Sequence, residues 1–333
     1  MPKIVCFGEA LIDMLAQPPA TPDAPRAFLQ YAGGAPANVA VAAARLGADA
    51  HFAGMLGEDM FGDFLFDSFV AMGVATDCIV RTGEANTALA FVALDAHGER
   101  SFSFYRPPAA DLLFRAGHFG PACFEGAGVF HVCSNSLTEE AVAEATLHGM
   151  ARARAAGAVV SVDLNLRPAL WPSGVDPSPR LWQALSAADL VKLSREELEY
   201  LARPLGGSAA GEAEALSRLF AANAQCVVVT DGAAPVRWFT REEHGQMAPF
   251  RVTALDTTAA GDAFVGGLLV RLGERGGDGP GFAEFCRDRA AIEDAIRHGA
   301  AVGALAVTRK GAFAAMPARD EVQRLLQEQA HAA

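Results

Sequence analysis

The sequence predicts an α/β protein with a central, mainly parallel sheet covered by helices on both faces. Three observations carry this. From about residue 126 onward, strand-like and helix-like segments alternate, which is how parallel strands are connected. The strand segments include short continuous apolar runs such as 226–230 (CVVVT), and a run of that kind suits a strand buried on both faces. Finally, the 333 residues are 51% hydrophobic and only 20% charged, so the chain can bury a sizeable core and is not generally disordered. At roughly 150 residues per domain, the length allows two domains or one large α/β domain with an excursion.

In chain order, 3–7 (KIVCF) reads as a buried strand ending at Gly8. Residues 14–30 carry Pro18, Pro19, Pro22 and Pro25, so neither a helix nor a central strand is expected through them. Helix 36–46 (PANVAVAAARL) has Pro36 at its first position and Gly47 just past its end. Its alanines allow close packing on a sheet. Runs 87–94 and 100–105, separated by Asp95, Ala96, His97 and Gly98, read as a hairpin with one open face. Strands follow at 128–133, 158–163, 190–193 and 226–230. Helices are expected at 139–156, 196–201, 211–222, 260–273, 282–305 and 319–329. The stretch 273–281 (GERGGDGPG) has no hydrophobic anchor and is expected to be a mobile loop.

The net charge of −12, from 27 basic and 39 acidic side chains, argues against a nucleic-acid binder, which needs a basic stripe. Cys6, Cys78, Cys123, Cys133, Cys226 and Cys286 show no C-x-x-C spacing; they read as buried reduced thiols, and no zinc site follows from their spacing. The apolar run from Met1 to Phe7 is too short and too soon interrupted by Glu9 and Asp13 for a signal peptide. No stretch reaches the ~20 apolar residues of a membrane span. A soluble, cytoplasmic protein is expected.

No P-loop is present, and no G-x-G-x-x-G follows the first strand. The informative segment is 256–267 (DTTAAGDAFVGG). Small residues at 259–261 lead into a helix, whose first N–H groups make a ready anion site. Asp262 lies in the first turn. A carboxylate beside a bound phosphate is electrostatically unhelpful unless it accepts a proton, although it could also simply complement the helix dipole. A second segment, 32–40 (AGGAPANVA), puts Gly33 and Gly34 before another helix start, with Asn38 one turn in. Glycines there would let a sugar-sized ligand lie against the backbone, and Asn38 offers both donor and acceptor. Asp13 is read as a carboxylate at the end of the first strand, where parallel sheets hold ligands.

These residues resemble the ribokinase-like, pfkB-type carbohydrate kinases. Gly33–Asn38 with Gly47 and Gly57 fit the amino-terminal signature, and Asp256–Leu269 the carboxyl-terminal one. The resemblance covers essentially the whole chain. The segments 8–13 (GEALID), 104–106 (FYR), 163–168 (DLNLRP) with Trp171, and 192–197 (KLSREE) look like the fructokinase branch. The resemblance implies a three-layer α/β/α core from 1–9, 36–85 and 110–333, and a small β-lid from 10–35 and 86–109.

It also implies roles. Asp262 would be the base, and the N–H groups of Ala259, Ala260 and Gly261 the anion hole. Asp13, Gly33, Gly34, Asn38, Phe104, Arg106, Asn165 and Arg167 would hold the sugar. Lys192, Ser194, Glu197, Thr230, Gly232 and Gly261 would lie along ATP. Asp256 and Thr258, with Ala306, Arg309 and Gly311, would ring a potassium-type cation. Mg²⁺ would travel with the nucleotide. The open face of the lid would pair two subunits into a homodimer.

Two positions depart from the family pattern. The usual G-A-G-D reads Ala259-Ala260-Gly261-Asp262, and an alanine at the first place can present its N–H if its φ is negative. The usual N-x-x-E reads Ser194-Arg195-Glu196-Glu197, which is also a capping box. His131, His148 and His298 read as satisfied or surface histidines and Trp171 as a packing residue, whereas Arg106 and Arg167 suit an anion. The expected activity is ATP-dependent phosphorylation of D-fructose at its 6-hydroxyl. The alternatives are a kinase of 2-keto-3-deoxygluconate, ribose or a nucleoside, and a sugar-binding regulator without chemistry; retention of Asp262 speaks against the last.

Overall fold

The computed structural model describes residues 3–17, 21, 23, 25–94, 100–106 and 108–329. Met1, the prolines at Pro18, Pro19 and Pro22, and the expected turn at Asp95, Ala96, His97 and Gly98 lie outside the described residues.

Strand β1 (Lys3–Phe7) begins the main sheet, and β2 (Leu11–Ala16) and β3 (Phe28–Gly33) then cross into a second one. The chain returns through α1 (Ala35–Arg45), β4 (Asp49–Gly57), α2 (Met60–Ala71) and β5 (Ala75–Thr82). It leaves again for the hairpin β6 (Leu89–Leu94) and β7 (Arg100–Tyr105). The remainder alternates: β8 (Ala127–Cys133), α3 (Glu140–Ala155), β9 (Val159–Asp163), α4 (Ser178–Ser186), β10 (Leu190–Ser194) and α5 (Arg195–Ala202). After these come α6 (Ser208–Ala221), β11 (Cys226–Thr230), β12 (Val236–Thr240) and β13 (His244–Met247). The chain closes with α7 (Ala260–Glu274), α8 (Phe282–Phe285), α9 (Arg289–Ala306) and α10 (Arg319–Glu328).

The main sheet has the order β13-β12-β11-β10-β9-β8-β1-β4-β5. The seven strands from β11 to β5 are parallel, and β12 pairs antiparallel with both β11 and β13. Alternation along β1 shows why the strands are apolar throughout: Ile4 and Cys6 enter a core shared with α1, α7 and α9, while Val5 and Phe7 enter a second core beneath α3, α4 and α6. This is the expected three-layer α/β/α arrangement. The second sheet, β3-β2-β6-β7, is separate. Hairpins β2–β3 and β6–β7 are antiparallel, and β2 runs parallel to β6.

Several expectations need correction. Residues 14–16 continue β2, an inner strand of the second sheet paired on both sides, and 28–30 begin β3; the proline barrier is shorter than the proline spacing suggests. Helix 282–305 is broken after Phe285, because Asp288 caps the next helix by accepting from the Ala291 N–H at 3.1 Å. The 273–281 stretch is packed rather than loose: a Cβ on Gly277 would stand 2.7 Å from the Phe285 ring, and one on Gly128 would stand 2.6 Å from Asp278. Its anchor comes from elsewhere in the chain, which composition cannot show. Pattern reading also left β4, α2, β5, α4, β12 and β13 unassigned.

Helix α7 is the axis of one layer, buried on nearly all sides. A Cβ on Gly266 would stand 2.5 Å from Ala42 of α1, and one on Gly267 2.6 Å from Val302 of α9. Small residues thus let three helices close on one another, and that packing aims the amino end of α7.

Candidate active site

Strands β9, β10 and β11 end at Asp163, Ser194 and Thr230, and the starts of α1 and α7 face these carboxyl ends. Asp262, in the first turn of α7, is 8% exposed. It accepts from Asn38 Nδ2 at 2.7 Å and, at the long limit of 3.5 Å, from Asn165 Nδ2. Burial, reinforced by Asp163, pushes its carboxyl up to about 7, against the opposing pull of Asn38, Lys192 and Arg167. A carboxyl group tuned so high has the range of a general base. The other end of Asn38, its Oδ1, is buried without a protein partner, an acceptor available to a hydroxyl.

The anion hole ahead of α7 differs from expectation at its first residue. Ala259 has φ 57° and ψ 14°, the left-handed region, not the negative φ that the alanine suggested. The turn itself demands this conformation, so the side chain is accommodated under strain. No side chain caps the helix. The Ala260 N–H makes only a long 3.4 Å contact with the Thr257 carbonyl.

Lys192 and Asp163 are direct partners in the parallel register of β10 and β9, and the Lys192 ammonium donates to both Asp163 oxygens at 3.0 and 3.1 Å. Burial alone would lower the Lys192 pKa, but Asp163 and Glu197 hold it above the usual value. Its Nζ lies 3.0 Å from where a Cβ on Gly261 would stand, so a cation flanks the anion hole. Glu197 is occupied as a cap: its oxygens accept from Leu166 and Ser194 N–H at 2.8 and 2.7 Å, and Ser194 Oγ accepts from Glu197 N–H. Arg167 is exposed yet close enough to act electrostatically on Asp262.

On the far side of Gly261 opens an apolar cavity of about 340 Å³. Thr230, Gly232, Ala260 and Gly261 are among its lining residues. Pro249, Phe250, Val252, Ala254 and Ala304 complete its walls. None of these carries a sequence signal, because they meet only through the fold.

One face of the second sheet carries Asp13, Gly33 and Phe104, by strand alternation and register. Neither glycine has room for a side chain. A Cβ on Gly33 would lie 2.4 Å from Asp13 Oδ2, and Gly34, at φ 108°, would meet the Glu9 carbonyl at 2.5 Å. Arg106 is not delivered to the anion hole. It is 2% exposed and donates to Asp111 at 2.6 and 2.8 Å, to Thr138 and to the Asn135 carbonyl. A buried guanidinium needs such neutralisation. Glu9, 1% exposed, accepts from Asn135 and from the Ala35 N–H. Glu9, Asp111 and Asn135 were missed, although a carboxylate just past a strand end, as Glu9 is, is a readable signal.

Asp256 is buried in the loop before α7 and accepts from Thr258 N–H at 2.8 Å and Gly311 N–H at 3.1 Å. Leu255 and Asp256 both donate to the Val307 carbonyl. The Arg309 guanidinium is bonded to Glu321, so only its backbone could face a cation. Tyr31 of β3 packs on Gly311 and ties this loop to the second sheet. The other flagged residues are as expected: His131 contacts Ser161, His298 contacts the Gly267 carbonyl, His148 is exposed, and Trp171 is a core residue.

Comparison with known proteins agrees in extent and kind. The family described as pfkB family carbohydrate kinase matches residues 1–319. A probable fructokinase-4 of Arabidopsis thaliana is 40% identical over 325 residues, covering 97% of this chain and 96% of that protein. A fructokinase of Xylella fastidiosa, solved with bound ATP, superposes with a TM-score of 0.94 at 59% identity, covering 98% and 99% of the two chains. The fructokinase of Vibrio cholerae O395 with fructose, ADP and calcium gives a TM-score of 0.84 at 33% identity, over 98% and 99%. A double mutant of that protein, with fructose, ADP and potassium, gives 0.84 at 32%, over 98% of each chain.

Proposed function

The chain belongs to the pfkB family of carbohydrate kinases, and from that premise we propose that it transfers the γ-phosphoryl group of ATP to the 6-hydroxyl of D-fructose. The observation that carries the reading is Asp262: a buried carboxylate raised to about 7, set between the Asn38 amide and the open amino end of α7. The sugar lies between Asn38 and the Asp13 face of the second sheet. The adenine and ribose occupy the apolar cavity beside Thr230 and Gly232. Asp262 takes the hydroxyl proton as the sugar oxygen bonds to the γ-phosphorus, and the bond to the β–γ bridging oxygen breaks to release ADP. The N–H groups at 259–261 and the Lys192 ammonium stabilise charge on the transferring group.

Mg²⁺ fits as an ion carried by the phosphates and water, since Glu197 is occupied as a cap and Asp163 by Lys192. A monovalent cation fits the oxygen-only set around Asp256, Thr258 and the backbone carbonyls of Ala306, Arg309 and Gly311. It would fix the shape of the loop that precedes the anion hole. We assign the second sheet the role of a lid that closes over the sugar and excludes water. Its opposite face carries Phe91 in ring contact with Phe28 and with Tyr105, each at 5.2 Å, with Phe28 42% and Tyr105 67% exposed; this face would pair two subunits.

A coupled ADP-release assay over fructose, glucose, ribose, 2-keto-3-deoxygluconate and nucleosides tests the substrate. Fructose should give the highest kcat/KM. A better nucleoside or keto-deoxy acid would replace fructose, and sugar binding without ADP release would turn the reading to a regulator.

A further inference from the structure

We propose that His51, Asp77 and Cys78 form a binding site for one divalent metal ion of zinc type, at the amino-terminal edge of the main sheet. The three ligand atoms already lie within 4.8 Å of one another. Zinc bonds of ~2.0–2.3 Å would set tetrahedral ligands about 3.3–3.8 Å apart, so closure needs rotation of about an ångström. Asp77 can supply it, because its side chain is 48% exposed, and it also leaves the ion a path from solvent.

The backbone brings these residues together by an irregularity. Between His51 and Ala53 of β4 the paired positions of β5 advance from Ala75 to Cys78, one residue more than the parallel register requires. Such a bulge re-aims side chains, and here it turns Asp77 and Cys78 toward His51.

The imidazole supplies a second, independent argument. Its Nε2 lies 3.1 Å from Asp49 and its Nδ1 2.7 Å from Asp77. A neutral imidazole can donate from only one nitrogen. In the tautomer that gives Nε2–H to Asp49, the Nδ1 lone pair is turned to the Asp77 side, and the rotation of Asp77 opens the room for a cation there. A carboxylate on the outer nitrogen of a ligating histidine is the usual support of a metal site. Nitrogen, oxygen and sulfur donors together suit Zn²⁺ better than Mg²⁺ or Ca²⁺. The Cys78 thiol would release its proton to solvent on binding. Cys123, hydrogen-bonded to Cys78, or a water would complete four ligands. Lys3 pairs with Asp49 and Val5 with His51 in the parallel register, so the cluster lies toward the strand starts, opposite the kinase site at the strand ends.

The test uses the full chain, stripped of metal with a chelator, without nucleotide or magnesium. Titration calorimetry with Zn²⁺ should show one equivalent bound. Co²⁺ should give tetrahedral visible bands with a thiolate charge-transfer band. Asp77→Asn, at a half-exposed position, should weaken Zn²⁺ at least tenfold while leaving ADP-release turnover within twofold of the parent. Cys78→Ser should abolish the charge-transfer band, and Asp49→Asn should weaken binding by about 10–100-fold. No stoichiometric uptake would overturn the proposal and leave His51 as a hydrogen-bonded bridge between Asp49 and Asp77. A cobalt spectrum without thiolate character, or affinity unchanged in Asp77→Asn, would overturn it equally.

Discussion

In the proposed reaction a single carboxylate sets the chemistry. Because burial raises Asp262 to about 7, and the base must be ionised to accept a proton, kcat/KM for the sugar should climb as pH rises through about 7 and level off above it. Asp262→Asn should lower kcat by ~10²–10⁴ with sugar affinity near that of the parent. Turnover within threefold, or a pH limb that survives the substitution, would remove Asp262 from the role. Ala259 makes the opposite kind of statement. Its left-handed φ of 57° costs roughly 1–2 kcal/mol in a residue with a Cβ, and glycine returns part of the gain through its unfolded-state entropy. Ala259→Gly should therefore stabilise the protein by about 0.5–1 kcal/mol in urea unfolding, with kcat little changed.

Between elements, the device is close approach. Helix α7 presents the proposed anion hole where glycines let α1 and α9 press against it, and a methyl at Gly267 would enter Val302. Gly267→Ala should cost about 1–3 kcal/mol through overpacking and lower kcat by displacing the amino end of α7. Stability lost with unchanged kcat would show that the site does not depend on this packing. The loop ahead of α7 depends instead on Asp256, whose oxygens accept from both Thr258 and Gly311. Potassium should raise the rate relative to sodium or a large organic cation. Equal rates in all three would dismiss the cation site.

The whole molecule is two sheets joined where Glu9, Ala35, Arg106 and Asp111 meet. Asp111→Ala would strand the buried Arg106 charge, at a cost of about 3–5 kcal/mol. Beyond that junction Ile12 and Ala32 of the second sheet join the main core, and Leu11, Ala88, Ala90 and Ala109 with Phe104 against them form only a small cluster of their own. A thinly packed sheet is where ligand-gated motion is found. Hydrogen exchange in β6 and β7 should slow on adding fructose and change much less with a non-hydrolysable nucleotide alone. Full protection before any ligand would mean a fixed lid. Phe28→Asp with Tyr105→Asp should convert a dimer to a monomer in sedimentation; a mass that does not respond would place any interface elsewhere.

The sequence by itself determined the alternating α/β class, a helix start at Pro36, one residue from the observed one, and another at Ala260, and it singled out Asp262 and Asn38, which the structure brings into a hydrogen bond. Those signals are local: a strand period, small residues before a helix, a carboxylate one turn in. It also carried both readings of Ser194–Glu197, of which the backbone amides of Leu166 and Ser194 supply the capping one. Only the tertiary structure decided what depends on a distant neighbour. It gave Arg106 to Asp111, packed Gly277 under Phe285, and extended β2 through residues taken for a proline break. It assembled the wall from Pro249 to Ala254, and a bulge in β5 gathered His51, Asp77 and Cys78. Burial and register are properties of pairs of segments, and a residue's own neighbours in the chain do not encode which segment it will meet.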